Sequence, residues 1–156
     1  MLKRLRIYID TSVIGGCFDA EFALWSNGLV EDFVRGVYTP VLSDLVATEI
    51  RAAPGDVQRM YGEILELSGE SLEIRREALD LASAYEKRGV LPAKLRNDML
   101  HIAIATVADV DVLVSWNFKH IVRLSKIRIF NAVNLELGYK QLQIYSPREV
   151  TNYGED

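Results

Sequence analysis

Residues 5–12, LRIYIDTS, combine a short β-forming run with polar side chains at its end. Leu5–Ile9 is compact, β-branched and aromatic, which favours a buried strand. Val112–Val114 is a second apolar run of the buried type, and the segment SWN follows it at residues 115–117. Ligands of parallel sheets bind beyond the carboxyl ends of the strands. These two segments are therefore the first places to look for a functional site.

Between the apolar runs, the pattern changes to the 3.6-residue period of helices. Helical segments are predicted at 22–35, 54–67, 77–88 and 96–108, and the last is apolar nearly all round. Strands separated by such long helices imply βαβ crossovers. The sequence therefore predicts a single α/β domain over residues 1–156, with a central, mostly parallel β-sheet flanked by helices on both faces.

Several boundaries are predicted from individual residues. Val37–Leu42 is strand-like, and Pro40 within it favours a short or edge strand. Ser43 is the predicted N-cap of a short helix. Gly69 is the predicted end of the later helix at 54–67. The last predicted strands are Ile127–Phe130 and Gln143–Tyr145.

Composition excludes several classes of protein. Hydrophobic residues make up 49% of the 156 residues, too many for a wholly disordered chain. A single cysteine, Cys17, excludes a disulfide-stapled scaffold and a multi-cysteine zinc site. No apolar stretch approaches the roughly 18 residues of a spanning helix. The opening MLKRLRIYID lacks the apolar core of an export signal, so we expect a cytoplasmic protein without a membrane partner.

Motifs of other α/β enzymes are absent from the sequence. It contains no GxxxxGK[ST] for nucleotide phosphates, no GxGxxG after the first strand and no GxSxG nucleophile elbow. The single acid of IDTSVI disfavours a receiver domain and a haloacid-dehalogenase phosphatase, both of which need a second one nearby. A phosphatase acting on a small molecule stays open as an alternative.

Four segments together resemble a known family. IYIDTSVI, TEI, NDMLHIAIAT and LVSWNFKHI occur in the order found in PIN domains, and the likeness runs from Ile7 to about Val150. Within that family the sequence is most similar to the VapC-type toxins of toxin–antitoxin pairs. The resemblance implies an α/β fold and a metal-dependent ribonuclease, the toxin component of a type II toxin–antitoxin system.

Carried over position by position, the resemblance implies a set of site residues. Asp10 would be the central metal ligand, with Glu49 and Asp98 as further acidic site residues. Asn117 stands where many family members have a fourth acid, which implies a weaker or single-metal site. We expect the hydroxyl of Thr11 or Ser12, and that of Ser115, to hydrogen-bond the acids or a bound water.

The chemistry of these side chains favours a hard metal ion. Converging carboxylates repel one another and raise each other's pKa unless a cation is present. Mg²⁺ and Mn²⁺ prefer oxygen ligands, and with His101, His120 and Cys17 the only imidazoles and thiol, zinc is the less natural choice. The predicted reaction is hydrolysis of RNA phosphodiesters, with one acid assisting as base. His101 follows Asp98 by three residues and either approaches the site or is a hydrogen-bonded core residue.

The net charge of −4 is unevenly distributed. Residues 19–86 carry a balance of −9 and the remainder +5. Polyanionic substrates need basic groups, so we expect three acid-free basic stretches to frame the site. These contain Lys3, Arg4 and Arg6; Lys87, Arg88, Lys94 and Arg96; and Lys119, Arg123, Lys126 and Arg128.

Several partners are expected from these patterns. RNA is the expected substrate, with Trp116 and Phe118 either stacking on bases or packing in the core. The helices at 22–35 and 54–67 are candidate faces for an antitoxin or for a homodimer. Asn117 also leaves open a catalytically weak or silent PIN-like module that binds RNA or a protein partner.

Overall fold

The computed structural model describes residues 3–68 and 70–152, in which five strands form one sheet. The predicted helix end at Gly69 lies outside the described residues. The strands are β1 (Leu5–Ile9), β2 (Tyr38–Ser43), β3 (Ser71–Leu72), β4 (Val112–Val114) and β5 (Gln143–Tyr145). Their order is β3-β2-β1-β4-β5, and every neighbouring pair is parallel.

The described residues also form eight α-helices and one 3-10 helix, Ala93–Leu95. In this part of the chain every helix is too short or too polar to cross a bilayer. The α-helices are α1 (Thr11–Gly16), α2 (Ala23–Val34), α3 (Asp44–Ile50), α4 (Gly55–Ser68), α5 (Arg76–Lys87), α6 (Arg96–Val107), α7 (Leu124–Glu136) and α8 (Pro147–Val150).

Strand β1 forms the centre of the sheet and its side chains are buried on both faces. Ile7, Tyr8 and Ile9 are all fully buried, although successive side chains of a strand point to opposite faces. Both faces are therefore covered, as the sequence predicts for an α/β domain, and the sheet is all-parallel rather than mostly parallel. The chain moves to one side of β1 for β2 and to the other for β4, which makes the β1–β4 edge a topological switch point.

Helix α6 is the most enclosed helix of the chain. Every residue from Met99 to Thr106 is buried, which confirms the prediction of a helix covered on more than one side. Its first turn holds Asp98. Ser43 caps α3 as predicted, because its side chain accepts a hydrogen bond from the backbone N–H of Val46 at 3.3 Å.

Two local predictions are wrong. Ile127–Phe130 is part of α7, not a strand. Phe130 and Val133 form the buried face of this helix, and its other sides are exposed. A short apolar run in the sequence does not distinguish a strand from a helix. Strand β2 is not an edge strand. Pro40 is tolerated there because β3 pairs only with Leu42 and Ser43, which leaves β1 as the strand beside Pro40.

The two glycines of α1 give a matched test of packing at this end of the sheet. A Cβ at Gly16 would lie 2.6 Å from both Ser26 Oγ and Trp116 Nε1, whereas a Cβ at Gly15 would meet no atom within 4 Å. We expect Gly16→Ala to lower the free energy of unfolding by about 2 kcal/mol. Gly15→Ala should leave it unchanged or raise it by up to about 1 kcal/mol. Chemical denaturation measures both, and equal effects would contradict the described packing.

Candidate functional site

The four predicted site residues lie on four parts of the fold, at or near the carboxyl ends of β1 and β4. Asp10 directly follows β1, and Asn117 lies in the loop after β4. Asp98 is in the first turn of α6, and its Oδ2 accepts a hydrogen bond from Asn117 Nδ2 at 3.2 Å. Glu49 is near the end of α3, where its carboxylate turns toward α1 and α6.

Asp10 is a buried carboxylate held by two serine hydroxyls. Asp10 is only 5% exposed. Ser12 Oγ donates to Oδ1 and Ser115 Oγ donates to Oδ2, both at 2.6 Å, as the sequence predicts for these hydroxyls. Each serine also accepts a backbone N–H from the loop after β4, that of Trp116 or Asn117, at 2.9 Å. The two serines therefore fix this loop against Asp10.

The charge of Asp10 is poorly compensated. Burial raises the pKa of Asp10 above its usual value, against the opposing effects of His101 and of the two serine hydrogen bonds. Among residues 3–68 and 70–152, no Lys or Arg forms an ion pair with Asp10, Glu49 or Asp98. Within the described residues, the site therefore carries buried negative charge with no lysine or arginine paired to it.

Glu49 is oriented by two elements at once. Its Oε1 accepts a hydrogen bond from Thr11 Oγ1 at 2.7 Å and lies 2.7 Å from His101 Nε2. Burial acts to raise the pKa of Glu49, but the bonds from His101 and Thr11, with a contribution from Asn97, outweigh it and hold the pKa below its usual value. Glu49 is thus held as a carboxylate with a fixed direction.

His101 connects Glu49 to the core of the sheet. The residue is 3% exposed, and its Nδ1 lies 2.6 Å from the hydroxyl of Tyr8, which lies 2.8 Å from Ser43 Oγ. Burial raises the pKa of Tyr8, so that its hydroxyl stays protonated. Both ring nitrogens thus have a hydrogen-bond partner, the Tyr8 hydroxyl at Nδ1 and the Glu49 carboxylate at Nε2. His101 is therefore both a hydrogen-bonded core residue and a neighbour of the site.

Asp98 and Asn117 form a second pair at the mouth of the site. Burial raises the pKa of half-buried Asp98, as does the charge of Glu49, while the Asn117 bond, His120 and His101 act in the opposite direction. Asn117 Oδ1 in turn accepts the backbone N–H of His120 at 2.9 Å. The amide at this position therefore donates to an acid where a fourth carboxylate would repel it.

Comparison with known proteins shows the fold. No protein-family model and no curated protein matches the chain. Among solved structures, a chain of VapBC2 from Rickettsia felis bound to a promoter DNA fragment is 14% identical, with a TM-score of 0.57, and the match covers 91% of this chain and 98% of that one. FitAcB from Neisseria gonorrhoeae gives 16% identity and a TM-score of 0.59 over 92% and 99% of the two chains. FitAB bound to a fragment named IR36 DNA gives 15% and 0.60 over 94% and 99%.

The chain has a PIN-like fold. The neighbours named VapBC2, FitAcB and FitAB agree with the fold that the four sequence segments predict. At 14–16% identity the likeness concerns the fold, so the roles of the site residues depend on the geometry of this chain.

The donor atoms of the PIN-like site fit a hard cation in their chemistry. Asp10, Glu49 and Asp98 supply carboxylate oxygens and Asn117 an amide oxygen, the ligand types of Mg²⁺ and Mn²⁺. In the described part of the chain, no three His, Cys, Asp or Glu side chains are grouped closely enough to hold an ion. The carboxylates share one edge of the sheet, and ion binding would require them to approach a common point.

One predicted basic stretch lies away from the site. Lys3, Arg4 and Arg6 precede or enter β1 at its amino end, whereas Asp10 follows its carboxyl end, roughly 16 Å further along a five-residue strand. Arg6 pairs with Glu70, and the Arg4 guanidinium lies beside Gly36. The prediction that these three residues frame the site is therefore wrong, because residues adjacent in sequence are separated by the length of a strand.

Sequence reasoning also missed three residues around the site. The sequence does contain a signal for Tyr8. It precedes Asp10 by two positions, so both side chains point to the same face of the sheet, and a buried tyrosine hydroxyl needs a hydrogen-bond partner. Ser43 was predicted only as a helix cap, although its hydroxyl also contacts Tyr8. Asn97 contributes a hydrogen bond to Glu49 and gave no signal beyond its place beside Asp98.

Asp10→Asn should stabilise the metal-free protein. An amide of the same shape removes the cost of burying a charge, so we expect the free energy of unfolding at pH 7 to rise by about 1–2 kcal/mol. Because the folded-state pKa of Asp10 is raised, the wild-type penalty is complete above that pKa and is lost as the pH falls toward the unfolded value near 4. The difference between variant and wild type should shrink over the same window.

Urea denaturation in EDTA at several pH values measures this difference. Asp80→Asn is the matched control, because Asp80 is exposed on α5 and pairs only with Arg76 one turn away, so it should change stability by less than about 0.5 kcal/mol. A wild type as stable as Asp10→Asn at pH 7, or more stable, would show that the buried charge carries no penalty.

Proposed function

We propose that this protein is a Mg²⁺- or Mn²⁺-dependent endoribonuclease that hydrolyses phosphodiester bonds of RNA. The observation that carries the proposal is the enclosed carboxylate of Asp10 at the topological switch point, with Asp98 and Glu49 at the same edge and no lysine or arginine paired with any of them in the described residues. Such an edge is where parallel sheets bind their ligands.

The residues of the site have separate roles in this proposal. Asp10, Glu49 and Asp98 would hold the cation, which when bound neutralises charge on a phosphodiester and lowers the pKa of water. Thr11 and His101 keep Glu49 in one direction, and Ser12 and Ser115 do the same for Asp10. These hydrogen bonds orient each carboxylate before the cation and the substrate bind, so that the approach of Asp98 and Glu49 toward Asp10 is the rearrangement that remains.

Exposed basic side chains that adjoin Asp98 and Asn117 in sequence favour a polyanionic substrate. Lys94 precedes α6 and is exposed, and Lys119 and Arg123 are exposed in the segment after Asn117. Arg96 instead pairs with Glu86 of α5, and Lys126 donates to the carbonyl of Val90. The unpaired bases of these two stretches, rather than all eleven predicted ones, are the candidate RNA contacts.

We further propose that the protein is the toxin of a type II toxin–antitoxin pair and acts in the cytoplasm. The proposal is supported by the VapC-like sequence segments and by a structural neighbour named VapBC2. An antitoxin and a homodimer partner stay predictions, for which α2 and α4 are the candidate faces. Induction should arrest growth, and coexpression of a small neighbouring gene product should relieve the arrest; harmless overproduction of an active ribonuclease would contradict the toxin role.

Cleavage of labelled single-stranded RNA tests the ribonuclease directly. With Mn²⁺ the wild type should cut the RNA, and EDTA should abolish cutting. Asp10→Asn and Asp98→Asn should each lower the rate by about 100-fold or more, since each removes a charged ligand. Asp80→Asn should cut as the wild type does.

The same assay distinguishes the ribonuclease from the second candidate function, a PIN-like module that binds RNA without cutting it. Asn117 reduces the negative charge of the site, which favours a weak or silent PIN-like module. A wild type that binds RNA without cutting it under any of the Mg²⁺ and Mn²⁺ conditions would support that module and contradict the enzyme. Release of phosphate from small phosphomonoesters without RNA cleavage would instead indicate a phosphatase.

A further inference from the structure

An aromatic cavity adjoins the candidate site on the side of α2 and α8. Its volume is about 390 Å³, within the range of small-ligand sites. The Trp116 ring stacks on Phe22 with centroids 4.2 Å apart, and Trp25 and Phe118 lie 6.3 and 5.9 Å from Trp116. The residues that line it are Glu21, Phe22, Trp25, Trp116, Phe118, Ser146, Arg148 and Glu149.

Trp116 joins this cavity to the acidic edge. Its backbone N–H donates to Ser12 Oγ, which holds Asp10, while its ring forms a wall of the cavity. The ring is fixed, because Nε1 donates to Ser26 Oγ at 2.8 Å and Ser26 in turn donates to the carbonyl of Val13. Trp116 therefore belongs both to the wall of the cavity and to the loop that is hydrogen-bonded to Ser12 beside Asp10.

The composition of the walls selects a flat and largely uncharged ligand. Arg148 lies with its Cζ 4.9 Å from the centroid of Trp25, so its guanidinium extends the stacking surface. Glu21 and Glu149 at the rim oppose a phosphate group inside the cavity. Phe118 is 48% exposed, so part of its ring is open to a ligand in the cavity.

We propose that this cavity binds an unpaired nucleobase of the RNA, next to the phosphodiester held at the acidic edge. Aromatic side chains and arginine are the groups on which bases of single strands stack. The identity of the substrate rests on the proposed ribonuclease function, and the stacking surface rests on the ring geometry. RNA whose bases are paired in a duplex should not enter.

Intrinsic fluorescence reports this binding directly, because both tryptophans of the chain line the cavity. A single-stranded RNA hexanucleotide, titrated in EDTA so that it stays uncut, should quench the fluorescence to saturation. An abasic oligomer of the same length and charge should not quench. Absence of quenching by the RNA, or equal quenching by the abasic oligomer, would overturn the proposal.

Two phenylalanines of equal exposure give the matched variants. Phe118→Ala should weaken RNA binding by about 5- to 100-fold, since it removes one stacking surface. Phe18, 47% exposed and outside the cavity, should be replaceable by alanine with less than a twofold change. Equal affinities of the two variants would also overturn the proposal, and a protein segment would then be the better occupant of the cavity.

These measurements distinguish failure of the base-binding proposal from failure of the ribonuclease proposal. Quenching that depends on Phe118 in a protein that never cuts RNA would support the cavity and contradict the enzyme. Cleavage that depends on Asp10 without quenching would support the enzyme and contradict the cavity.

Discussion

The enclosed carboxylate of Asp10 is the constraint on which the rest of the site depends. It lies at the end of a strand whose preceding three residues are fully buried, so its charge cannot be solvated by a simple change of rotamer. Ser12 of α1 and Ser115 of the loop after β4 hold it, and these two serines in turn fix the loop that carries Trp116 and Asn117. Hydroxyl groups orient a carboxylate but do not neutralise it, which is why we propose that a cation binds at this edge.

The second constraint is the position of His101 on a helix with no exposed side. Because α6 is buried from Met99 to Thr106, an imidazole there must be hydrogen-bonded on both nitrogens or leave a polar atom unpaired. Tyr8 and Glu49 meet this requirement, and the buried side chains of the described residues include no unpaired nitrogen or oxygen. The same two hydrogen bonds of His101 thus satisfy a buried imidazole in the core and orient the carboxylate of Glu49.

Local patterns predicted much of this fold because they report short-range physics. The span of β1, the cap at Ser43 and the place of Asp98 in the first turn of α6 all follow from neighbouring residues. The same patterns failed where the answer depended on distant contacts. Ile127–Phe130 became helical through burial of one face, and the terminal basic residues were separated from Asp10 by the length of β1. The chain from Ser43 to Glu49 through Tyr8 and His101 joins four elements and has no signature in sequence.

Anomalous diffraction from crystals grown with Mn²⁺ tests most directly whether the acidic edge is a cation site. We expect an anomalous peak for Mn²⁺ within about 2.0–2.3 Å of an Asp10 carboxylate oxygen, with Asp98 or Glu49 completing the protein ligands. Peaks confined to surface acids such as Asp80, with the Asp10 edge empty at saturating Mn²⁺, would contradict it.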